Sequence, residues 1–299
     1  MKKQQSLLII GLLLCLNISW SQEYSIVIKG GHVIDPKNSI DEVLDVAIKD
    51  NKIVKVAKNI NAKDDTTLTE KIGIKTKDHK LPAETTQKYL HEIIDKLNQD
   101  KEVHGILVQL PLPKQLDEFA TVSRISPIKD VDGLTPQNVG LLSMGKSILK
   151  ACTPSGIMEM FYYYKINLEG KNVVMINRSN LIGKPLYHLL LQNNATVITC
   201  HSKTKNLKEF CQNADIIITA VGDRTKFKLT SDMIKQDAIV IDVAISRYQG
   251  KLIGDTDYDD IIQKASWATP VPGGVGPMTV AMLLKNTVTA ASLNKEIVG

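Results

Sequence analysis

The first quarter of the chain alternates apolar and polar positions with a period of two, in the runs YSIVIKG, DVAIKD and KIVKVA between residues 24 and 60. Asp-Pro and Asp-Asn turns divide these runs. Alternation puts the apolar side chains on one face of a pleated strand, so the segment predicts a small antiparallel β unit. From Pro82 the period lengthens: Leu90, Ile93, Ile94 and Leu97 recur at the i, i+3, i+4, i+7 spacing of an amphipathic helix, and residues 105–110 follow as an apolar strand. Beyond Thr153, apolar runs at 172–176, 195–200, 215–220 and 238–243 are separated by helical patterns. Strands that alternate with helices need crossover connections, which predicts a parallel, doubly wound sheet. The fold class is α/β: an N-terminal α/β domain and then a Rossmann-like doubly wound domain.

A chain of 299 residues with 43% apolar content is long enough for two ordinary cores. Its formal net charge of +5 is spread along the chain and not gathered into a stripe, which argues against nucleic acid and for a small anionic ligand. Cys15, Cys152, Cys200 and Cys211 show no C-x-x-C spacing and make no disulfide framework. Lys2 and Lys3, the apolar run 7–16, and Ser19 and Ser21 at cleavage spacing read as a secretory leader over residues 1–21. The run is too short to span a bilayer, and the bulky Leu14 before Cys15 argues against a lipoprotein. The expectation is a cleaved leader, export, and no membrane contact afterwards; a buried N-terminal helix is the alternative.

Residues 22–65 resemble the opening β segment of secreted dihydroorotase-like amidohydrolases. Such a protein next presents an H-x-H pair, because two imidazoles on one strand face can grip one metal. None of His32, His79, His91, His104, His188 and His201 has that spacing, so no metal site is expected.

The run ending at Ile176 leads into NRSNLIGKP at 177–185, a strand-to-helix turn that can aim backbone N–H groups at a phosphate. Asn177, Arg178, Ser179 and Gly183 are the candidate contacts; an ordinary turn is the bland alternative. After the next strand the chain reads CHSKTKN at 200–206, with no carboxylate to hold ribose hydroxyls. Ser202, Lys203 and Thr204, with Arg178, offer donors and positive charge to a 2′-phosphate, which favours NADP over NAD unless the stretch is simply a solvated basic loop.

Two strings are more specific: VHGILVQLPLPK at 103–114 and PVPGGVGPMTVAMLL at 270–284. Together with KDVDG at 129–133, CTPSG at 152–156 and GDTDY at 254–258, they resemble the bifunctional methylenetetrahydrofolate dehydrogenase/cyclohydrolases from about residue 68 to the C-terminus. The resemblance implies oxidation of 5,10-methylenetetrahydrofolate with NADP, then hydrolysis of the methenyl form to 10-formyltetrahydrofolate. It also implies a homodimer, and service to purine, methionine and histidine biosynthesis. By the same resemblance Gln109 orients a catalytic lysine and Asp132 binds the pterin ring, although Gln109 could merely end a strand and Asp132 could be a turn residue. Leu110, Pro111, Gly273, Gly274 and Pro277 line the folate site, with the glycines allowing close backbone approach. Ile245, in DVAISR at 242–247, falls beside the cofactor.

The chain departs from this family at its start. The family's Tyr-x-x-x-Lys places both side chains on one helical face, and the lysine handles protons in both steps. Counted back without gaps from Gly73 and Ile74, those positions fall on Asn61 and Asp65. Asp65 reverses the charge, and Lys63 and Lys71 lie off that face. Asn177 stands where the family has glycine, and DVAISR replaces its DVGINR. The organisation read from this is a leader (1–21), a foreign β segment (22–65), a truncated folate domain (66–150) completed by a C-terminal helix (277–299), and an NADP domain (151–276). An active enzyme, a non-catalytic folate- and NADP-binding fusion, and a secreted amidohydrolase are the three functional readings.

Overall fold

A computed structural model describes the backbone of β1 (Ile26–Asp35), β2 (Ile40–Lys49) and β3 (Lys52–Ala57), and residues 74–298. The leader, Asn61 and Asp65 lie outside the described residues. The alternating segment forms a three-stranded sheet in the order β1-β2-β3, with β2 antiparallel to β3 and a register shift between Ala47 and Ile48. The chain divides into two compact units, and the larger, which contains residues 76–299, holds all the elements that follow.

Its first helix, α1 (Gln87–Gln99), is capped by Thr86, whose side chain accepts the Tyr89 N–H at 3.2 Å. The stripe read from the sequence faces inward: Leu90 and Ile94 pack with Ile106, Leu116 and Ile125. Lys129 closes the other end of the helix. Its buried ammonium donates to the carbonyls of Leu97, Asn98 and Asp100 at 3.0, 2.8 and 2.7 Å. Helix ends leave such carbonyls without partners, so the first residue of KDVDG is structural.

The strand expected at 105–110 is reduced to a single parallel bridge between Ile106 and Asp130. A strand exists only where a neighbour pairs with it, and no second strand flanks this segment among the described residues. Helices α2 (Glu118–Ser123) and α3 (Pro136–Ser143) follow. Asp130 anchors the second of them, accepting the N–H groups of Leu134 and Thr135 and the Asn138 amide at 3.2, 2.8 and 2.8 Å.

Then α4 (Cys152–Tyr163), β4 (Asn172–Ile176), α5 (Gly183–Gln192), β5 (Thr196–Cys200), α6 (Leu207–Gln212), β6 (Ile216–Thr219) and β7 (Ile239–Asp242) alternate as the pattern predicts. A hairpin, β8 (Ser246–Tyr248) with β9 (Lys251–Ile253), the short α7 (Tyr258–Ile261), β10 (Trp267–Ala268) and α8 (Val275–Val298) complete the chain. The sheet is parallel throughout, ordered β10-β7-β6-β4-β5. Val173, Met175, Ile216 and Ile218 face one core, while Val174, Ile176, Ile217 and Val240 face the other. Burial on both faces is why these strands read as continuous apolar runs. Strand order reverses between β4 and β6, and in such sheets ligands bind at that point, beyond the carboxyl ends of the strands. Among the described residues no helix is long and apolar enough to cross a membrane.

Candidate active site

The segments carrying Gln109 and Asp132 leave the Ile106–Asp130 bridge in the same direction, because the bridge is parallel. Gly105 makes their approach feasible: a Cβ there would stand 2.5 Å from Val131 Cγ1. Gln109 is exposed, and among the described residues its amide reaches only the Leu110 carbonyl, at 3.1 Å. Leu110 is half-buried and Pro111 exposed, joined by a cis peptide bond.

Asp132 is half-buried beside Cys152, the first residue of α4. Burial raises its pKa to about 6; the Cys152 thiol contact pulls the other way, and the neighbouring Asp130 carboxylate adds to the rise. Burial also pushes the thiol far above its ordinary range, so Cys152 stays a neutral donor here and not a nucleophile. A carboxylate at the brink of neutrality, sitting at a helix N-terminus, can accept hydrogen bonds from a cationic or amino-bearing ring.

The glycine loop enters α8 next to this helix. Gly273 has φ +102°, which a side chain would strain, and a Cβ on Gly274 would lie 2.5 Å from the Pro270 carbonyl oxygen. Both glycines are therefore required by the loop itself. Gly276 is different, since a Cβ there would meet only Ile245 Cδ1 at 3.8 Å. This places the exposed Ile245 at the start of α8, close to Pro277, which occupies the first turn and spares a backbone donor no partner would take. Helix α8 crosses α4 closely because Gly156 leaves no room to spare: a Cβ would fall 2.8 Å from Met278 Cβ. Thr153 and Thr279 bond across the crossing at 2.9 Å.

On the cofactor side, the departure from glycine at 177 has a structural use. The Asn177 oxygen accepts the N–H groups of Ser179 and Gly183 at 2.7 and 3.0 Å, and its amide donates to Ala220 O at 2.6 Å, across the point where strand order reverses. The Ser179 hydroxyl accepts the Ile182 N–H at 3.1 Å, and its carbonyl accepts that of Lys184 at 3.0 Å. The cradle of free amides expected at this turn is thus closed at 182–184 by side-chain and backbone oxygens. Thr204 is committed too, its hydroxyl accepting the His201 N–H at 2.9 Å. Arg178, Ser202 and Lys203 remain exposed, and their side chains hydrogen-bond nothing among the described residues.

GDTDY proves to be scaffolding. Asp255 accepts from the Thr219 hydroxyl and from the N–H groups of Val221 and Gly222 at 2.7, 2.6 and 3.0 Å. Asp242 accepts the N–H groups of Ala244, Asp255 and Thr256 at 3.1, 3.1 and 2.7 Å. Burial raises the Asp242 pKa against these bonds, which keeps the loops at the ends of β6 and β7 in place. Sequence reasoning missed the group around Asp132, namely Cys152 and Asn286; the only signal was their presence in, or just beyond, the specific strings.

Residues 151–295 match the tetrahydrofolate dehydrogenase/cyclohydrolase NAD(P)-binding domain, and residues 46–132 match the catalytic domain of the same family. The second match begins inside the segment read from the sequence as foreign. The bifunctional protein FolD of Nitrosopumilus maritimus is 77% identical over 228 residues, covering 76% of this chain and 79% of that protein. The crystal structure of the bifunctional FolD enzyme from Campylobacter jejuni superposes with a TM-score of 0.73 at 46% identity, over 76% of this chain and 80% of that one. The Trypanosoma brucei enzyme, crystallised with NADP and an inhibitor, gives 0.71 at 36% identity, over 76% and 79% of the two chains.

Proposed function

This chain belongs to the tetrahydrofolate dehydrogenase/cyclohydrolase family and is an NADP-dependent methylenetetrahydrofolate dehydrogenase/cyclohydrolase of one-carbon metabolism; we propose that it binds tetrahydrofolate derivatives and NADP but turns them over poorly. The observation that carries this is a contrast. The binding groups Gln109, Asp132 and the loop at 273–276 are present and supported, whereas Asn61 and Asp65 stand where the acid–base pair belongs.

In this reading the Asp132 carboxylate accepts from the pterin amino group and ring N–H, and Leu110 and Pro111 form one wall of the folate cleft. Gln109, left without its lysine, donates directly to the substrate. Gly273, Gly274 and Pro277 set the backbone of the opposite wall. NADP fits the donor set of the second domain and supplies the hydride acceptor. Asn177, Ser179, Gly183 and Thr204 hold the shape of its site, while Arg178, Ser202 and Lys203 meet the 2′-phosphate and Ile245 covers the cofactor at the cleft. The finer parts of the proposal are a homodimer, supply of one-carbon units to purine, methionine and histidine biosynthesis, removal of the 1–21 leader with export, and the domain limits given above. An amidohydrolase reading gives way, since no H-x-H pair follows its β segment.

NADP should bind more tightly than NAD, because three unengaged donors surround the extra phosphate and no carboxylate opposes it. Fluorescence titration of both cofactors tests this, and equal affinities would count against it. Arg178→Ala should narrow the gap by about tenfold, the size of one charge-assisted bond.

No metal should be needed for either ligand. Among the described residues no three His, Cys, Asp or Glu side chains gather as a ligand set. Elemental analysis of protein purified without added metal is the check, and one stoichiometric zinc per chain would defeat the expectation.

A further inference from the structure

Asn286 is a buried polar side chain in the fourth turn of α8, an otherwise mainly apolar helix. Its amide nitrogen donates to the Val131 carbonyl at 2.8 Å and to the Lys150 carbonyl at 2.8 Å, and it lies 3.6 Å from Cys152 Sγ. Two N–H protons meet two carbonyls, so the donor is saturated. The sulfur is in turn 3.3 Å from the same Val131 carbonyl. The Val131 carbonyl belongs to the peptide bond that leads into Asp132, and Lys150 lies two residues before α4. One side chain therefore ties together three parts of the site: the loop that carries Asp132, the start of the helix beside it, and the helix that follows the glycine loop.

We propose that Asn286 is a positioning residue for Asp132, holding the Val131–Asp132 peptide against the N-terminus of α4 so that the carboxyl faces the folate cleft. The proposal rests on the reading of Asp132 as the pterin acceptor. A plain core amide could satisfy two carbonyls anywhere in the helix. This one takes the carbonyl next to the ligand-binding carboxylate and the one that precedes its neighbouring helix, which gives it leverage on where that carboxylate sits. The titratable groups that face Asp132 are the Cys152 thiol and the Asp130 carboxylate. Asp130 is held independently by three donors from residues 134–138, so loss of Asn286 leaves it in place.

Asn286→Leu removes the donor and keeps most of the volume. In the full chain without ligand, carbon-detected NMR of the Asp132 carboxyl should show its titration midpoint falling toward the ordinary aspartate value, because the freed loop lets water reach the carboxyl. Calorimetry with tetrahydrofolate should show affinity weakened about tenfold, while NADP affinity stays within about twofold. Should Asn286→Leu fail to fold, Asn286→Ser, which keeps one donor in a smaller side chain, should give both changes at lower amplitude. An unchanged Asp132 midpoint with unchanged tetrahydrofolate affinity in a folded variant would overturn the proposal. Asp132→Asn separates the two claims. If that variant binds tetrahydrofolate as well as the parent, the pterin reading fails, whereas the effect of Asn286 on the carboxyl midpoint is judged on the ligand-free titration alone.

Discussion

Assayed beside a complete family member, the purified chain should form NADPH from 5,10-methylenetetrahydrofolate, and hydrolyse the methenyl form, at least about 10²–10⁴-fold more slowly. That range is the usual contribution of one positioned acid–base group and corresponds to about 3–5 kcal/mol of barrier. The family resemblance gives a lysine at this position a part in both steps, so both rates should fall together. Asp65 is no equivalent of that lysine: it places a carboxyl group where the family has an amine. Asn61→Tyr with Asp65→Lys should restore little alone, because the sequence around them departs from the family as well. Exchanging residues 1–67 for the family's own N-terminal segment should restore much more. Rates within about tenfold of the complete enzyme would show that another lysine, Lys63 or Lys71, has taken the role.

Asp132→Asn should weaken tetrahydrofolate binding by about tenfold or more and, at neutral pH, stabilise the fold. An asparagine keeps the shape but presents one acceptor oxygen and a donor where the pterin offers only donors. The stability change has a definite sign. In the folded protein the Asp132 pKa is raised to about 6 by burial, against an ordinary value of 3.8. Below about pH 4 both states are protonated and the contribution to stability is fully present; between about pH 4 and 6 the folded state holds a proton that the unfolded chain has released. The advantage disappears as pH rises through about 6, above which the buried carboxylate is charged at a cost. Asparagine removes that cost, contributing about 1–3 kcal/mol above pH 7 and nothing near pH 4. Thermal melts of the two proteins from pH 4 to 8 decide it: curves that stay parallel across the range would mean that Asp132 ionises normally. Tetrahydrofolate binding by the parent should itself decline below about pH 6, as the acceptor is protonated.

Much of this protein is legible in the chain alone. The period-two segment forms the three-stranded sheet, the 3.6-residue stripe at Leu90, Ile94 and Leu97 forms α1, and four apolar runs became β4, β5, β6 and β7 within a residue or two. Local patterns of this kind report how a segment buries its own apolar face, so they survive without tertiary information. The family strings likewise point to the family that the matches show.

What the chain could not reveal is the use to which each polar group is put. Lys129 and Asp132 stand three residues apart in one motif, yet the Lys129 ammonium closes the end of α1 while the Asp132 carboxyl lies half-buried beside Cys152. Asn177 reads as a damaged glycine and is the tie that holds the cofactor turn shut. Residues 105–110 read as a strand and form a single bridge, since pairing depends on a neighbour elsewhere in the chain. Asn286 gains its meaning from carbonyls 136 and 155 residues away in sequence. The physical reason is the same each time: apolar periodicity is a local property, whereas a hydrogen bond is satisfied by whatever partner the folded chain brings within about 3 Å.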